Sequence, residues 1–252
     1  MKKISKSIIV AAGRGNRLGP LTDDRPKCLL EIGGKTILQR QLEVEKQHGI
    51  TNIVVVRGYR KELINYPGIK YYDDINYRGI LGSLFFAEQE MNEGFIFSYA
   101  DILYGQNIVK NLLETEGDII LVVDTNWQEH YKGREKHPVD EAELVKVNSD
   151  RVVKIGKDVV GTEEAHGEFI GLAKFSDRGA KIIRDIYHDL LKRHKKEDPF
   201  QNAKEFQRAY LTDFIQELVD RGHEVKTVDI TGDWIEIDTD EDLNKAKKQW
   251  RD

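Results

Sequence analysis

The stretch Ile9-Val10-Ala11-Ala12-Gly13-Arg14-Gly15-Asn16-Arg17-Leu18, followed a few residues later by Pro26-Lys27, decides the fold of this chain. An apolar strand runs into a turn that contains two glycines, and such turns bring backbone N–H groups close to an anion. Arg17 adds a forked donor and Lys27 a compact ammonium, both of which suit phosphate oxygens. The stretch therefore predicts a phosphate-binding loop that follows the first strand of an α/β sheet.

Two widespread phosphate-binding motifs do not fit this stretch. The dinucleotide-binding fingerprint needs a glycine at the place of Leu18, and a P-loop ending in Gly34-Lys35-Thr36 needs its first glycine at the place of Leu29. Two glycines alone are also typical of an ordinary turn between a strand and a helix. The arginine and the Pro-Lys pair that follow them favour the phosphate-binding interpretation.

Composition limits the classes of protein that this chain can be. It has 252 residues without a linker-like or repetitive segment, so we expect a single domain over residues 1–252. The net charge of −5 gives no electrostatic case for nucleic-acid binding, and the single cysteine, Cys28, excludes a disulfide framework. The apolar run after the basic N-terminus is too short for a signal sequence, and no stretch reaches the roughly 18 apolar residues of a membrane helix. We therefore expect a cytoplasmic protein that binds neither nucleic acid nor membranes.

Strand-like and helix-like runs alternate through the first half of the chain. This pattern predicts an α/β fold with a Rossmann-like, mixed but mainly parallel sheet flanked by helices. Residues 144–147 and 151–155 then alternate around a polar turn, as in a hairpin, and residues 168–175 form a further strand. We expect these to lie in a small inserted β subregion, roughly residues 125–175, that binds a second substrate. The other expected strands are 7–12, 52–57, 70–72, 95–100, 118–123, 224–230 and 233–238, and the expected helices are a segment around 37–48, one from an N-cap at Ser83 to Met91, 177–194, 210–221 and one capped by Thr239.

Carboxylates at two distant places in the chain predict a metal site. Asp101 directly follows a buried strand, at the sheet edge where ligands bind, although it could instead cap a helix that starts near Gln106. Glu236 and Asp238 share one face of a later strand, roughly 7 Å apart. Thr239 with the acid three residues later forms a capping box, which leaves Asp238 free. Asp101 and Asp238 together with a triphosphate would suit Mg²⁺.

The sequence contains no motif for a zinc-dependent or covalent mechanism. The seven histidines show no metal-ligand spacing, and no serine lies in a nucleophile elbow. We therefore expect neither a zinc site nor a covalent intermediate. Displacement at phosphorus needs neither, because positioning and charge neutralisation supply most of the rate.

Several motifs together resemble the signature of pyrophosphorylase-type nucleotidyltransferases, which activate sugar phosphates, phosphocholine and phosphonates. These motifs are Ala11-Ala12-Gly13-x-Gly15-x-Arg17-Leu18, Pro26-Lys27, Asp101 and Glu236-x-Asp238-Thr239. The resemblance covers almost the whole chain and implies the nucleotide-diphospho-sugar transferase fold. Sugar-phosphate enzymes usually have Pro-Lys-Pro, whereas Cys28 follows Lys27 here. The segment Pro26–Gly34 is similar to phosphocholine cytidylyltransferases and especially to nucleotidyltransferase domains associated with phosphoenolpyruvate mutase in phosphonate biosynthesis.

The resemblance implies a set of ligands and residue roles. CTP would be the nucleotide and Mg²⁺ the metal, and the acceptor would be 2-aminoethylphosphonate, 2-hydroxyethylphosphonate or a phosphocholine-like compound. Arg17 and Lys27 would be catalytic, and Asp101 and Asp238 would hold the metal. The implied nucleotide-binding residues are Ala11, Ala12, Gly13, Arg14, Gly15, Gly82, Ser83 and Ala100, and the implied acceptor-binding residues are Trp127, Glu168 and Glu236.

Some alternatives stay open at the level of sequence. Trp127 could offer its ring to an ammonium group by a cation–π contact, or it could pack under the inserted hairpin. The protein could be a sugar-1-phosphate nucleotidyltransferase that uses UTP, dTTP or GTP, or a non-catalytic subunit that senses nucleotides. A homodimer is compatible with the sequence but is not required by it.

Overall fold

A computed structural model describes residues 3–76 and 78–250 of the chain. Strands and helices alternate along it much as the sequence pattern predicts. The strands are β1 (Lys6–Ala11), β2 (Glu31–Ile32), β3 (Lys35–Thr36), β4 (Asn52–Arg57), β5 (Lys70–Asp73), β6 (Phe95–Tyr99), β7 (Ile102–Tyr104), β8 (Ile119–Asp124), β9 (Leu144–Asn148), β10 (Arg151–Gly156), β11 (Gly167–Phe175), β12 (Lys226–Ile230) and β13 (Trp234–Glu236). The helices are α1 (Ile37–Gln47), α2 (Gly79–Phe86), α3 (Gln106–Glu114), α4 (Gln128–Tyr131), α5 (Asp177–Arg193), α6 (Leu211–Asp220) and α7 (Asp240–Gln249).

Nine strands form the main sheet of the described chain, in the order β5-β4-β1-β6-β11-β8-β12-β10-β9. β5, β4, β1, β6, β8 and β12 all run in the same direction, and β11 runs against its neighbours β6 and β8. The predicted hairpin is the antiparallel pair β9–β10 at one edge, and β9 also pairs with β11. The prediction of a mixed, mainly parallel sheet flanked by helices is confirmed.

Both faces of the sheet are buried, because successive side chains of a strand point to opposite faces. In β1, Ile8 and Val10 belong to the core cluster that contains residues of α2, α5 and α6, while Ile9 and Ala11 belong to the cluster that contains residues of α1 and α3. A smaller cluster, which includes Ile235 of β13, packs against α7. β7 and β13 form a separate antiparallel pair beside this cluster. The two-sided core fixes the carboxyl ends of β1 and β6 next to each other.

The helix that the sequence predicts from Ser83 to Met91 is placed wrongly. α2 begins four residues earlier, at Gly79, whose φ of +76° turns the chain into the helix. It ends at Phe86. Ser83 is buried within it, and its hydroxyl donates a hydrogen bond of 2.8 Å to Asp74 Oδ2 instead of capping a helix. The sequence gives no sign of this bond because Asp74 lies on a preceding loop.

The last strand and its flanking segments also differ from the prediction in length. β13 covers three residues rather than the six from 233 to 238, because Asp233 adopts a φ of +59° and interrupts the extended chain. Thr239 caps α7 in the predicted capping box with Asp242. None of the helices in the described part of the chain has the length and apolar character needed to cross a membrane.

Candidate active site

A cavity of about 430 Å³ opens at the carboxyl ends of β1 and β6. Its walls come from the glycine turn after β1, the turn between β6 and β7, the start of β11, and the segment that leads from β13 into α7. Ligands of open α/β sheets bind at this edge. The predicted site residues that line the cavity are Ala11, Gly13, Gly15, Arg17, Lys27, Ala100, Asp101, Glu168, Glu236 and Asp238.

The glycine turn brings Lys27 into the cavity. Gly15 has a φ of +79°, and a Cβ added to it would lie 2.9 Å from Lys27 Cβ, so a side chain there would displace the lysine. The hydroxyl of Thr22 donates to Gly15 O at 3.1 Å and holds the turn closed. Gly13 does not have a positive φ, and a Cβ there would meet no atom within 4 Å. Gly15 is thus needed for the turn, whereas Gly13 leaves open space beside the cavity.

Two cations and two carboxylates form one cluster at the base of the cavity. Lys27 Nζ lies 2.7 Å from Asp101 Oδ2 and also donates to Asp238 Oδ1. Arg17 Nη2 donates to the other oxygen of Asp238, and Arg17 Nη1 lies 3.5 Å from Glu141 Oε2. Asp101 does not cap α3, whose N-cap is Gly105. The structure therefore brings together the four residues to which the sequence assigned catalysis and metal binding.

The charges in the cluster shift the pKa values of its members. Burial alone would lower the pKa of Lys27, but the carboxylates of Asp101 and Asp238 outweigh it, and the pKa is raised above its usual range. Burial would raise the pKa of Asp238, but Lys27 and Arg17 hold it well below the ordinary value. Burial and the nearby charges of Asp238 and Asp101 both raise the pKa of Glu236. The nearby charge of Lys27 opposes this rise but does not cancel it, so Glu236 is the acid of this group whose protonated form is favoured.

The oxygen atoms of this cluster fit a hard divalent cation. Asp101 Oδ1 is buried and has no hydrogen-bond partner within the described residues. The backbone secures the distance between the two acidic segments, because Glu236 pairs with Ile102 across β7 and β13 and Ile237 N donates to Asp101 O at 2.9 Å. Carboxylates supplemented by phosphate oxygens and water are the ligand set that Mg²⁺ prefers.

His137 lies beside this cluster, and the spacing of histidines in the sequence did not predict that position. Ligand atoms of His137, Glu236 and Asp238 lie within 4.8 Å of one another. Arg134 Nη2 lies 3.0 Å from His137 Nδ1, and Arg134 Nε donates to Asp242 Oδ1 at 2.7 Å. The histidine is about 100 residues from the two acids in the chain, so only the tertiary fold could bring it there.

The first turn of α7 fastens residues 134–136 to the acidic segment that carries Asp238. Asp242 Oδ2 accepts hydrogen bonds from the backbone N–H of Asp238 at 3.1 Å and of Thr239 at 2.9 Å, while its Oδ1 accepts from Arg134. The backbone N–H groups of residues 135 and 136 both donate to Glu241 Oε2. One carboxylate thus caps the helix, orients Asp238 and holds the segment that carries His137.

A second group of acids lines the far wall of the cavity. Tyr131 donates to Glu168 Oε1 at 2.6 Å, while Glu168 Oε2 is buried without a partner in the described chain. Glu143 accepts hydrogen bonds from Tyr99 and Thr212, both at 3.2 Å. Burial raises the pKa of Glu168 to about 8 and that of Glu143 to about 7. This wall can accept protons or a cationic group.

Lys157 supplies a third cation to the cavity. Its Nζ lies 3.0 Å from Glu141 Oε2 and 4.8 Å from the centre of the Tyr210 ring. The sequence analysis did not identify Lys157 or Glu143, because both flank the hairpin strands without any recognisable motif. The sequence indicated only that both residues lie in the segment, roughly 125–175, that was expected to bind a second substrate.

Five predicted site residues do not line the cavity. Trp127 is 3% exposed and packs against Ala142, Leu144 and Val160, as in the packing alternative, so its ring is not available for a cation. The other four are Ala12, which is buried, Arg14, which pairs with Asp23 at 2.7 Å, and Gly82 and Ser83, which lie inside α2. The hydroxyl of Ser83 is bonded to Asp74 and does not face the cavity.

Comparison with known proteins identifies the family. A model of the MobA-like NTP transferase domain matches residues 7–153, more than half of the chain. The chain belongs to this family. The expected relation to nucleotidyltransferases is therefore confirmed, and the cavity described above is the candidate active site of a family member.

Relatives and solved structures agree with this assignment. A CTP:phosphoglutamine cytidylyltransferase of Campylobacter jejuni is 33% identical over 94% of this chain and 97% of its own length. A choline-phosphate cytidylyltransferase of Streptococcus pneumoniae is 32% identical over 42% of this chain and 48% of its own length. The solved inositol-1-phosphate CTP transferase from T. maritima has a TM-score of 0.73 and 23% identity, over 99% of this chain and 98% of that one. That likeness shows the fold, which is the predicted nucleotide-diphospho-sugar transferase fold.

Proposed function

We propose that the protein is a CTP-dependent cytidylyltransferase that transfers CMP to a small phosphorylated or phosphonate acceptor and releases pyrophosphate. The observation that carries the proposal is the contact of Arg17 and Lys27 with Asp101 and Asp238 at the ligand-binding edge of the sheet. A nucleotide-sensing subunit would need cations for the triphosphate but not the paired carboxylates. CTP is favoured over other nucleotides by the names of the two relatives compared above.

The chemistry follows from the charges in the cavity. An anionic oxygen of the acceptor attacks the α-phosphorus of CTP in line, the bond between that phosphorus and the bridging oxygen breaks, and pyrophosphate leaves with the electron pair. No proton transfer is needed when the acceptor oxygen is already ionised. Arg17 and Lys27 would leave their carboxylate partners to neutralise the triphosphate. Asp101 and Asp238 would hold Mg²⁺, which when bound supplies charge neutralisation between the phosphate groups.

The acceptor is proposed to carry an amino or ammonium group in addition to its phosphate or phosphonate. Glu168 on the far wall is buried, and its Oε2 has no hydrogen-bond partner in the described chain, whereas the neighbouring Glu143 lies in the field of Lys157. A cationic group placed against Glu168 Oε2 would satisfy that unpartnered oxygen. Arg17, which contacts Asp238, and Lys157, which contacts Glu141, both line the cavity and would receive the acceptor's anionic group. Candidates of this class are 2-aminoethylphosphonate, phosphocholine and phosphorylated amino acids.

A grid of nucleotides and acceptors tests the proposal. CTP, UTP, GTP and dTTP are each combined with 2-aminoethylphosphonate, 2-hydroxyethylphosphonate, phosphocholine, phosphoglutamine and glucose 1-phosphate in the presence of Mg²⁺, and pyrophosphate release is measured. We expect release with CTP and an amino-bearing acceptor. Release confined to glucose 1-phosphate with UTP, GTP or dTTP would instead establish the sugar-phosphate alternative.

Two variants and a control test the roles of the residues. Lys27→Ala and Asp101→Ala should each lower turnover by about 10²–10³-fold, the usual cost of removing one group that stabilises transition-state charge. Lys61→Ala is the control, because this lysine pairs with Asp73 at 2.6 Å outside the cavity. Near-normal rates in either active-site variant would exclude the assigned roles.

A further inference from the structure

Two buried polar residues of α1 face the sheet directly below the turn that carries Asp101. Gln41 is 1% exposed and Glu45 is 0% exposed, although the rest of this helix face is apolar and packs in the core. Buried polar side chains are costly unless their atoms are hydrogen-bonded. A polar pair in this position therefore needs an explanation in terms of the groups that it contacts.

The amide group of Gln41 contacts both ends of the Asp101 turn. Gln41 Nε2 donates to Tyr99 O at 2.7 Å and to Ile102 O at 2.8 Å, and Ser98 Oγ lies 3.2 Å away. Tyr99 ends β6 and Ile102 begins β7, so the two carbonyl groups flank Ala100 and Asp101. One planar amide thereby sets the distance between the two strands at the point where the carboxylate projects.

The amide must be held in one orientation to do this, and Glu45 is placed to hold it. Glu45 Oε1 accepts hydrogen bonds from Ser7 Oγ at 3.0 Å and Tyr104 OH at 3.2 Å. Gln41 Oε1 and Glu45 Oε2 are both buried, and neither has a partner within the described residues. The two side chains lie four residues apart, on the same face of α1.

A single proton on Glu45 Oε2 would give a hydrogen-bond partner to both unpartnered atoms. Gln41 Oε1 can only accept a hydrogen bond, and a carboxyl oxygen becomes a donor once it is protonated. Burial raises the pKa of Glu45 to about 7, which favours the protonated form, although its bonds with Ser7 and Tyr104 oppose the shift. Among the residues that contact Glu45, Tyr104 is the titratable one, and burial and Glu45 keep the tyrosine neutral by raising its pKa.

We propose that Gln41 is a positioning residue for Asp101 and that a proton carried by Glu45 orients the Gln41 amide. The proposal rests on the proposed function only in treating Asp101 as a site residue. Gln41 lies on α1 and does not line the cavity, so it would act through the backbone of the β6–β7 turn. A less rigid β6–β7 turn would also displace Asp238, because Ile237 N donates a hydrogen bond to Asp101 O.

The first experiment compares Gln41→Leu with Leu38→Ala. Leu38 lies on the same helix, is fully buried and does not contact the turn through hydrogen bonds, so its variant controls for general destabilisation of α1. Hydrogen–deuterium exchange of the full-length protein is followed in peptides covering residues 96–104 and 234–238. We expect roughly tenfold faster exchange in both peptides for Gln41→Leu only, the effect of about one lost hydrogen bond.

Kinetics provide a second measurement on the same variants. A misplacement of about 1 Å costs about 10²-fold in rate, so kcat of Gln41→Leu should fall by 10- to 100-fold while KM for CTP stays near the wild-type value. The control should keep its kcat. Exchange and kcat in Gln41→Leu that match the control would overturn the positioning role.

A second pair of variants tests the shared proton and does not depend on Gln41→Leu folding. In Glu45→Gln, the new amide can donate to Gln41 Oε1 and still accept from Ser7 and Tyr104, whereas Glu45→Leu can do neither. We expect wild-type exchange in the first variant and fast exchange in peptide 96–104 in the second. Equal behaviour of the two would overturn the role of the proton. If the wild-type protein transfers no nucleotide at all, the proposed function fails, but the exchange data still decide this inference.

Discussion

Replacing Lys27 by methionine should strengthen divalent-cation binding to the nucleotide-free protein while it slows nucleotidyl transfer. The ammonium group lies 2.7 Å from Asp101 Oδ2 and also contacts Asp238, so it occupies the position between the two carboxylates that would hold the metal. A metal ion and this ammonium compete for the same oxygen atoms. In the wild-type protein we expect tight metal binding only after a triphosphate has drawn Lys27 away.

The size of the effect can be estimated from the geometry. Two unit charges 4 Å apart interact by about 4 kcal/mol when the effective dielectric constant is about 20. If side-chain movement and solvent leave only a third of this energy, removal of Lys27 still corresponds to about a tenfold lower Kd for the metal, since about 1.4 kcal/mol equals tenfold. Transfer should slow by about 10²–10³-fold, because the variant loses one cation that neutralises the triphosphate.

Isothermal titration with Mn²⁺ in the absence of nucleotide measures the first effect, and pyrophosphate release measures the second. Lys61→Met is the matched control, because it removes the same charge from an ion pair with Asp73 outside the cavity. The reasoning is refuted if Lys27→Met binds Mn²⁺ no more tightly than the control does. It is equally refuted if the variant turns over at the control rate.

Three further predictions concern other parts of the molecule. Glu168→Gln should lower kcat/KM for 2-aminoethylphosphonate by about tenfold or more relative to 2-hydroxyethylphosphonate, because an ammonium group placed against Glu168 favours the ionised carboxylate despite its raised pKa, whereas glutamine cannot ionise; equal losses for both acceptors would contradict a cation site. The raised pKa of Glu45, about 7 instead of 4.5, should make a stabilising contribution that is fully present below about pH 4.5 and lost as pH rises through 7. Urea unfolding of the wild type and Glu45→Gln across that range should show a change of roughly 3 kcal/mol in their difference, and parallel pH profiles would exclude it. Gly15→Ala should lose about 1–2 kcal/mol of stability because φ is +79° and the new Cβ approaches Lys27. Gly13→Ala should unfold like the wild type, and thermal unfolding of both variants measures the difference.

The sequence predicts that the four residues at the base of the cavity come together, because each of them lies in a motif or next to a regular element. Asp101 follows a run of buried strand residues, and Asp238 precedes a helix with a recognisable cap, so their places at the sheet edge follow from local pattern. Arg17 and Lys27 belong to a motif whose glycine at position 15 has a conformational requirement. The parallel pair β1–β6 and the antiparallel pair β7–β13 then bring these separate segments together.

The far wall of the cavity was predicted less completely, because tertiary packing forms it. Glu143 and Lys157 reach the cavity because the hairpin folds back onto β11, and local periodicity does not encode that packing. The sequence left two alternatives for Trp127, and the structure shows the packing one, under the same hairpin. Ser83 was predicted as a helix N-cap, but it lies within α2, where Asp74 from outside the helix binds its hydroxyl.

The triple use of Asp242 limits how this protein can be re-engineered. A relative's segment 125–175 grafted onto this chain would lose its ion pair with Asp242 unless it kept an arginine at position 134, and a changed first turn of α7 would misplace Asp238 as well. Substrate range and catalytic geometry are therefore not independent modules here. Laboratory chimaeras should succeed when both pieces, far apart in the gene, are exchanged together, and should fold but turn over poorly when only one is.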